Sequence, residues 1–311
     1  MLLGEAFDFY CLSLEAQGRS LRTIQSYQGR LASFLDEHRN KPLHEITRAD
    51  VDRWLVELRR QKTRWANHPG RPSTNGGLSL ATIATSLQSL KTFFNWCVER
   101  DYLERSPAAH LKRISYSHAI EDDKVMAAND LTALLRAAKE AGDMPRDYAL
   151  LLFFADTGVR ASEGATLRLG NLYLTSCEAM VEGKTGRRRV YFTEQTRDAV
   201  QDWLDVRPEC DHDFVFVGTY RIHRGKPLTG TAIYQVFKRL ARHAGIEGRF
   251  NPQSIRHLVG QSFVDHENLV IAQKKLGHRD ITTTAKFYAH QDRERIKAAT
   301  NRSSLLNRVE S

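Results

Sequence analysis

The segment Asn171–Phe192, NLYLTSCEAMVEGKTGRRRVYF, is the part of the chain that decides its fold class. Its pattern predicts strands on both sides of a turn at Gly183–Gly186. A further short strand is predicted at Phe214–Val217. Helical patterns flank the segment at Asn129–Ala141, Pro145–Asp156 and Glu194–Val206. A small sheet embedded in helices predicts an α+β domain in this half of the chain.

The first hundred residues carry helical patterns only. Predicted helices begin after Ser20, Thr47 and Ser79, which belong to the residue types that cap helix N-termini. Asp50 completes an acidic variant of the capping box with Thr47. The segment Arg59–Gly77 is polar, basic and rich in glycine and proline, so we expect an exposed loop there.

The two halves meet in a segment without periodicity. Lys112–Lys124 mixes serine, histidine and charged residues, which is typical of a linker. We therefore predict a helical domain over residues 1–113, a linker over 114–125 and a mixed domain over 126–311. The predicted fold class is mainly α with a small antiparallel sheet, an all-helical domain being followed by an α+β domain.

A surplus of positive charge indicates what the chain binds. The 311 residues include 46 Lys and Arg against 37 Asp and Glu, a net charge of +9. This favours an anionic partner, and nucleic acid is the commonest one. No apolar run is long enough to span a membrane, and no secretory signal pattern opens the sequence. We therefore expect a cytoplasmic protein without a membrane partner.

The cysteines and several familiar motifs point away from other chemistries. The four cysteines form no C-x-x-C pair and predict no disulfide framework, and Cys97 belongs to an apolar helical pattern. Gly183, Lys184 and Thr185 match the end of a phosphate-binding P-loop, but the position that requires its first glycine is Glu178. No zinc-protease, zinc-ribbon or G-x-S-x-G pattern occurs, so neither zinc chemistry nor a serine hydrolase is indicated.

Four clusters in the second half carry groups suited to phosphate chemistry. They are TGVRASE (157–163), GKTGR (183–187), NPQSIRH (251–257), and LGH (276–278) followed by Tyr288. In order and spacing they resemble the tyrosine recombinase (phage integrase) family, whose pattern has T-G-x-R-x-x-E, a hairpin lysine, H-x-x-R-H, L-G-H and a later tyrosine. The likeness covers nearly the whole chain, because members such as the Xer-like recombinases also carry a helical core-binding domain.

The resemblance implies a catalytic domain of the DNA breaking-rejoining type that works without a metal or another cofactor. Tyr288 is the implied nucleophile, which forms a 3′-phosphotyrosyl link. Arg160 and Arg256 are expected to hold the scissile phosphate, since a guanidinium keeps its charge and offers parallel donors. Lys184 is the implied general acid for the leaving 5′-oxygen. His278 is expected to donate a hydrogen bond to a non-bridging oxygen.

One position departs from the family pattern. Gln253 stands three residues before Arg256, where the family usually has histidine, and a glutamine amide does not take a proton at neutral pH. We expect slower cleavage, because the remaining phosphate-binding residues are present. His257 follows Arg256 as in the family, and Glu163 lies one helical step from Arg160 and is expected to hold it in position.

The resemblance also implies partners. We expect double-stranded DNA with specific recombination sites, homotetramers on paired sites formed through the C-terminal tail, and accessory DNA-bending proteins. In the helical domain the expected DNA contacts are Arg22, Thr23, Tyr27 and Lys91. The basic segment 59–77 is a further candidate for phosphate contacts, which give affinity without choosing a sequence.

The prediction that follows is site-specific recombination, and integration or excision of a mobile element is favoured over chromosome-dimer resolution. Two other functions stay open at this point: strand relaxation like that of type IB topoisomerases, and DNA binding for regulation with cleavage lost through Gln253. Each residue also has a structural alternative. Arg160 and Arg256 alone are compatible with surface ion pairs, and the basic run 184–189 is compatible with a solvated hairpin.

Overall fold

The computed structural model describes residues 1–64, 74–115, 126, 128–140, 145–184, 186–246 and 250–277. The chain divides into two compact units, Met1–Ser117 and His118–Ser311. Of the predicted linker 114–125, only residues 114 and 115 belong to the described part of the chain. The domain boundaries stay a prediction.

The first unit is built from helices that begin where the capping residues predict. They are α1 (Leu3–Ala16), α2 (Leu21–His38), α3 (Arg48–Arg60) and α4 (Leu80–Glu99). The hydroxyls of Ser20 and Ser79 each accept a backbone N–H of the first turn that follows. Thr47 and Asp50 form the predicted capping box, with Thr47 N donating to Asp50 Oδ2 at 2.8 Å. The three predicted helix starts are confirmed.

Aromatic rings fill the core of the first unit. Phe7 of α1 and Phe93 of α4 meet edge to face at 5.4 Å between ring centroids, and Phe34 of α2 meets Trp54 of α3 at 5.5 Å. Such edge-to-face contacts add to the free energy gained by burying the rings. Cys97 is fully buried in this core, as its helical pattern predicts.

The prediction of a loop over the whole of Arg59–Gly77 was wrong at its ends. Helix α3 continues to Arg60, and a short antiparallel pair joins β1 (Thr63–Arg64) to β2 (Thr74–Asn75). Residues 65–73 lie outside the described residues. The β-branched side chain of Thr74 suits this pairing. An isolated bridge between Leu2 and Pro42 is a second departure from helix in the described part of the unit.

The second unit places a small sheet among helices, as predicted. Its helices are α5 (Ala128–Glu140), α6 (Arg146–Thr157), α7 (Ala161–Ala165), α8 (Glu194–Val206), α9 (Gly230–His243), α10 (Pro252–His266) and α11 (Leu269–Leu276). Its strands are β3 (Leu172–Tyr173), β4 (Glu178–Gly183) and β5 (Gly186–Tyr191), and the sheet is antiparallel in the order β3-β4-β5. The predicted fold class and the hairpin turn at Gly183–Gly186 are confirmed.

The strand predicted at Phe214–Val217 was wrong. Phe214 and Val217 make only isolated bridges, to Arg168 and Pro227. The run is apolar because it is buried, as Val215, Phe216 and Val217 all are. Its composition therefore does not require that it pair with another strand. The carbonyl of Val215 accepts the indole N–H of Trp203 at 2.9 Å, which satisfies a buried acceptor outside any sheet.

Strand alternation gives the β4–β5 hairpin an inner and an outer face. Ala179, Val181 and Val190 are buried in the core that surrounds α6. Arg188 pairs with Val181 in the register and therefore shares this inner face. The hairpin is thus fixed in the core at its base, while its turn at Lys184 is exposed.

Within the described ranges, none of the helices combines the length and the apolar character that a membrane crossing requires.

Asp50 provides a test of the capping box. Its buried carboxylate accepts hydrogen bonds from Thr47 and from Lys41 at 2.8 Å. Burial raises the pKa of Asp50, but the Lys41 and Thr47 hydrogen bonds outweigh it and hold the pKa below its usual range. Asp50→Asn should lower the free energy of unfolding at pH 7 by about 2 kcal/mol in urea titrations of the full chain.

The pH dependence of this difference follows from the sign of the shift. Because the folded pKa lies below the unfolded one, the stabilisation is present above about pH 4 and is lost as the pH falls further. Asp36→Asn, an exposed change on α2, is the control and should leave the free energy of unfolding unchanged at pH 7 and at pH 2. An equal loss for both variants, or a loss for Asp50→Asn that is as large at pH 2 as at pH 7, would contradict the assignment.

Candidate active site

Arg160 is positioned by a sharp turn between two helices. Gly158 ends α6 in the left-handed conformation, with φ of 59°, which glycine adopts without strain. A Cβ at this position would lie 3.1 Å from Leu276 and 3.2 Å from Val259, so the turn packs closely against α10 and α11. Arg160 follows as the N-cap residue of α7, and about a third of its side chain is exposed (32%).

Glu163 holds Arg160 in place, as the sequence predicts. One carboxylate oxygen accepts the backbone N–H of Arg160 at 2.8 Å, and the other accepts its Nη1 at 2.8 Å. Arg188 donates from Nη2 to the same carboxylate at 2.9 Å. Burial raises the pKa of Glu163, but Arg188 and Arg160 outweigh it and lower the pKa below its usual value. The carboxylate therefore stays ionised between two guanidinium groups.

Arg256 brings two distant segments together. Its side chain on α10 is buried, with 1% exposed, and donates from Nη1 to the carbonyl of Gly158 and from Nη2 to that of Leu276, both at 2.5 Å. Asn251 caps α10 and Pro252 is its first residue, so the helix begins four residues before Arg256. Because Gly158 precedes Arg160 by two residues, the two predicted phosphate-binding arginines lie in one site. A surface ion pair is not the role of Arg256.

Lys184 lies at the exposed turn of the hairpin. The outward arginines beside it are paired across the strands, Arg187 with Glu182 at 3.0 Å and Arg189 with Glu178 at 2.7 Å. In the part of the chain that the structure describes, the Lys184 ammonium has no hydrogen bond or ion pair. Its charge is therefore available to an anionic ligand, and the basic run 184–189 is not uniformly solvated.

Gly183 and Arg188 attach the hairpin to Glu163. A Cβ at Gly183 would lie 2.8 Å from Oε1 of Glu163, so this strand passes directly over the carboxylate. Arg188 was not among the predicted site residues. Its signal in the sequence was the alternation of β5, which places residue 188 on the face of Val190 and not with Arg187 and Arg189.

Gln253 and His257 are neighbours on the first turns of α10. Their Nε2 atoms lie 3.4 Å apart, and Gln253 is exposed. Burial and the nearby charge of Arg256 lower the pKa of His257, so its ring is neutral at pH 7 and can accept an N–H from the amide.

His278 and Tyr288 lie outside the described residues. The described chain ends at Gly277, which closes α11 in the left-handed conformation with φ of 64°. A Cβ at Gly277 would lie 2.4 Å from Cδ of Arg188, so the arginine occupies the space that a side chain would need. The two residues keep their predicted roles as expectations.

The predicted DNA contacts of the first unit have different surroundings. Arg22 is exposed near the start of α2, while Thr23 Oγ1 lies 2.9 Å from Ser20 Oγ, so Thr23 takes part in the cap. Tyr27 packs edge to face on Tyr10 with ring centroids 5.4 Å apart. Lys91 donates to the carbonyl of Leu111 at 2.6 Å and thus has a role inside its unit. DNA contact by these residues stays a prediction.

Two family models match this chain. Residues 124–295 match the phage integrase family, and residues 10–104 match the N-terminal SAM-like domain of phage integrases. The chain belongs to the phage integrase family, because the first model covers more than half of it.

Individual relatives agree with this assignment over nearly the full length. The tyrosine recombinase XerC of Corynebacterium glutamicum is 27% identical over 303 residues, which cover 95% of this chain and 90% of the relative. The structure of the Tn1549 transposon integrase with transposon right end DNA has a TM-score of 0.76 at 19% identity, covering 97% of this chain and 99% of that one. A lambda integrase tetramer bound to a Holliday junction has a TM-score of 0.72 at 15% identity, covering 95% and 81%. The structural likenesses show the fold, and the prediction of a tyrosine recombinase is confirmed.

The buried carboxylate at the centre of the site can be tested for stability. Glu163→Gln should lower the free energy of unfolding by about 3 kcal/mol, since it leaves the guanidinium of Arg188 buried without its charged partner. Urea unfolding at pH 7 measures the change. Glu182→Gln removes a carboxylate from the exposed pair with Arg187 and should cost less than about 1 kcal/mol. Similar losses for the two variants would show that Glu163 does not organise the site.

Proposed function

We propose that this protein is a site-specific recombinase that cuts and rejoins duplex DNA through a phosphotyrosyl link at Tyr288. The observation that carries the proposal is the junction of three separate motifs. Arg256 binds the carbonyl of Gly158 beside Arg160, and the Lys184 hairpin rests on the carboxylate that holds Arg160. These contacts support the proposal that the two guanidiniums and the ammonium act on one phosphate.

The proposed cleavage step uses these charges in order. The Tyr288 oxygen attacks the scissile phosphorus and loses its proton to water, a bond forms between the two, and the bond to the 5′-oxygen breaks. Arg160 and Arg256 stabilise the negative charge that develops on the non-bridging oxygens, for which a positioned donor is typically worth about 10²–10³ in rate. Lys184 gives its proton to the departing 5′-oxygen, and His278 donates a hydrogen bond to a non-bridging oxygen. Ligation reverses each transfer.

Gln253 sets this site apart in the proposed step. An amide can orient the phosphate or the phenol by hydrogen bonding, but it does not take the phenol proton. The neutral ring of His257 beside it supports an orienting role, since it accepts one N–H and thereby fixes the amide. Slow attack by Tyr288 is the expected consequence.

The proposed partner is duplex DNA with specific recombination sites. The net charge of +9 and the fold shared with integrases in complex with DNA support this. We further propose monomers in solution and homotetramers on paired sites, in view of the lambda integrase tetramer on a Holliday junction. Integration or excision of a mobile element in the cytoplasm is the proposed process, with accessory DNA-bending proteins as an additional expectation.

A second candidate is a DNA-binding regulator that has lost cleavage. Gln253 is the observation that favours it, because this position lacks a side chain that can accept the proton. Covalent trapping separates the two functions.

The proposed chemistry predicts a covalent adduct that depends on Tyr288. The protein is incubated with sheared genomic DNA of the source organism that has been nicked at random. When the protein cuts a strand close to a nick, the short end is lost and the strand cannot be rejoined. Adducts that survive detergent are isolated and sequenced. Wild-type protein should enrich one class of site, and Tyr288→Phe should bind the same DNA without an adduct. Retention of DNA without any adduct from the wild type would support the regulator instead.

The glutamine should limit the rate. In the proposed step Gln253→His supplies a base for the phenol proton, and a general base contributes at least about 10²-fold, so single-turnover cleavage of the trapped site should rise by about that factor. The gain should disappear as the pH falls and the new imidazole takes a proton. Gln261→His, on the same helix, is the control and should change nothing. Equal rates for Gln253→His and wild type would show that Gln253 is not rate-limiting.

A further inference from the structure

Arg188 occupies an unusual place for an arginine on a basic hairpin. Its neighbours Arg187 and Arg189 point outward and pair with exposed carboxylates, whereas Arg188 points inward with 14% of its side chain exposed. The register explains the difference, because Arg188 lies opposite the buried Val181. The inner face of β5 therefore carries a charged group into the base of the site.

The guanidinium of Arg188 connects three segments that hold site residues. Nη2 donates to Oε2 of Glu163 at 2.9 Å, and the same oxygen accepts the backbone N–H of Arg160. Nη1 donates to the carbonyl of Lys275 at 2.9 Å, three residues before His278. Gly277 lies against its side chain, at a position where any Cβ would collide with it.

Stability alone does not account for an arginine at this position. Within the described residues its Nε atom is buried without a hydrogen-bond partner, which opposes folding. A buried ion pair is commonly no more stabilising than an apolar side chain of similar volume. What the guanidinium provides, and an apolar group does not, is two directional contacts at fixed angles.

These contacts determine where the hairpin turn is held. Both strands of the hairpin meet Glu163, through Gly183 on β4 and Arg188 on β5, and Lys184 follows Gly183 directly. The same carboxylate also holds Arg160. We propose that Arg188 is a positioning residue that seats the hairpin on Glu163 and so fixes Lys184 relative to Arg160. This inference rests on the proposed function, in which Lys184 protonates the leaving 5′-oxygen.

The test uses two nicked duplexes of the trapped site, one with the normal 5′-oxygen at the scissile bond and one with sulfur there. Sulfur leaves without a proton because the pKa of a thiol is about 8.5, so the sulfur substrate does not need Lys184. Arg188→Met should cleave the oxygen substrate about 10²-fold more slowly than wild type, the size of a lost general acid. On the sulfur substrate it should be within about tenfold of wild type, with DNA binding unchanged.

Matched variants make the result specific. Arg187→Met and Arg189→Met remove cations from the outer face of the same strand and should keep wild-type rates on both substrates. In a Lys184→Ala background, Arg188→Met should add little further loss, because residues that act through one group are not additive. Arg188→Lys, which keeps the charge and forms fewer bonds, covers the case in which Arg188→Met does not fold, and it should show a smaller loss with the same rescue by sulfur.

Other outcomes would overturn the inference. Equal rates for Arg188→Met and Arg187→Met on the oxygen substrate would show that Arg188 positions nothing. Thermal melting shows whether Arg188→Met is folded. If the folded variant loses cleavage rate equally on both substrates, Arg188 acts through the phosphate-binding arginines and not through Lys184. A wild type that cleaves neither substrate would count against the proposed function itself, which is a separate failure.

Discussion

The site depends on one buried carboxylate between two guanidinium groups. Glu163 is 1% exposed and would be costly to bury as an ion without partners. Arg160 supplies one of those partners from the start of α7, and Arg188 supplies the other from β5. Because each guanidinium satisfies the same charge, the position of a helix terminus and the position of a hairpin are coupled through a single side chain.

A second constraint acts through carbonyl groups. Arg256 donates to the carbonyl of Gly158, the residue that follows α6, and to that of Leu276, the last residue of α11, so two helix ends meet at one buried side chain of α10. Left-handed glycines at 158 and 277 make these ends sharp and leave room for the close approach. Charge is thus concentrated where the backbone is tightly held, which limits the reorganisation that binding a phosphate would require.

Predictions that rest on local chemistry agree with the structure, and those that rest on pattern alone do so less often. Ser20, Thr47 and Ser79 each accept a backbone N–H from the first turn of the helix that follows. A single capping residue and the turn after it are therefore enough to place each of these helix starts. The apolar run 214–217 led to a wrong prediction of a strand, because a buried segment that is not part of a sheet has the same apolar composition as a buried strand. Arg188 was overlooked because composition describes 187–189 as one basic run, and only the pairing register separates its faces.

The sequence by itself determined the fold class, the helix starts, the hairpin turn and the order of the motifs that mark the family. Each of these is encoded within a few residues, in caps, turns and spacings. Only the tertiary structure decided that Arg256 is buried against Gly158, 98 residues away, and that Arg188 shares Glu163 with Arg160. Such contacts join residues far apart in the chain, and their geometry exists only once the core that brings them together has formed.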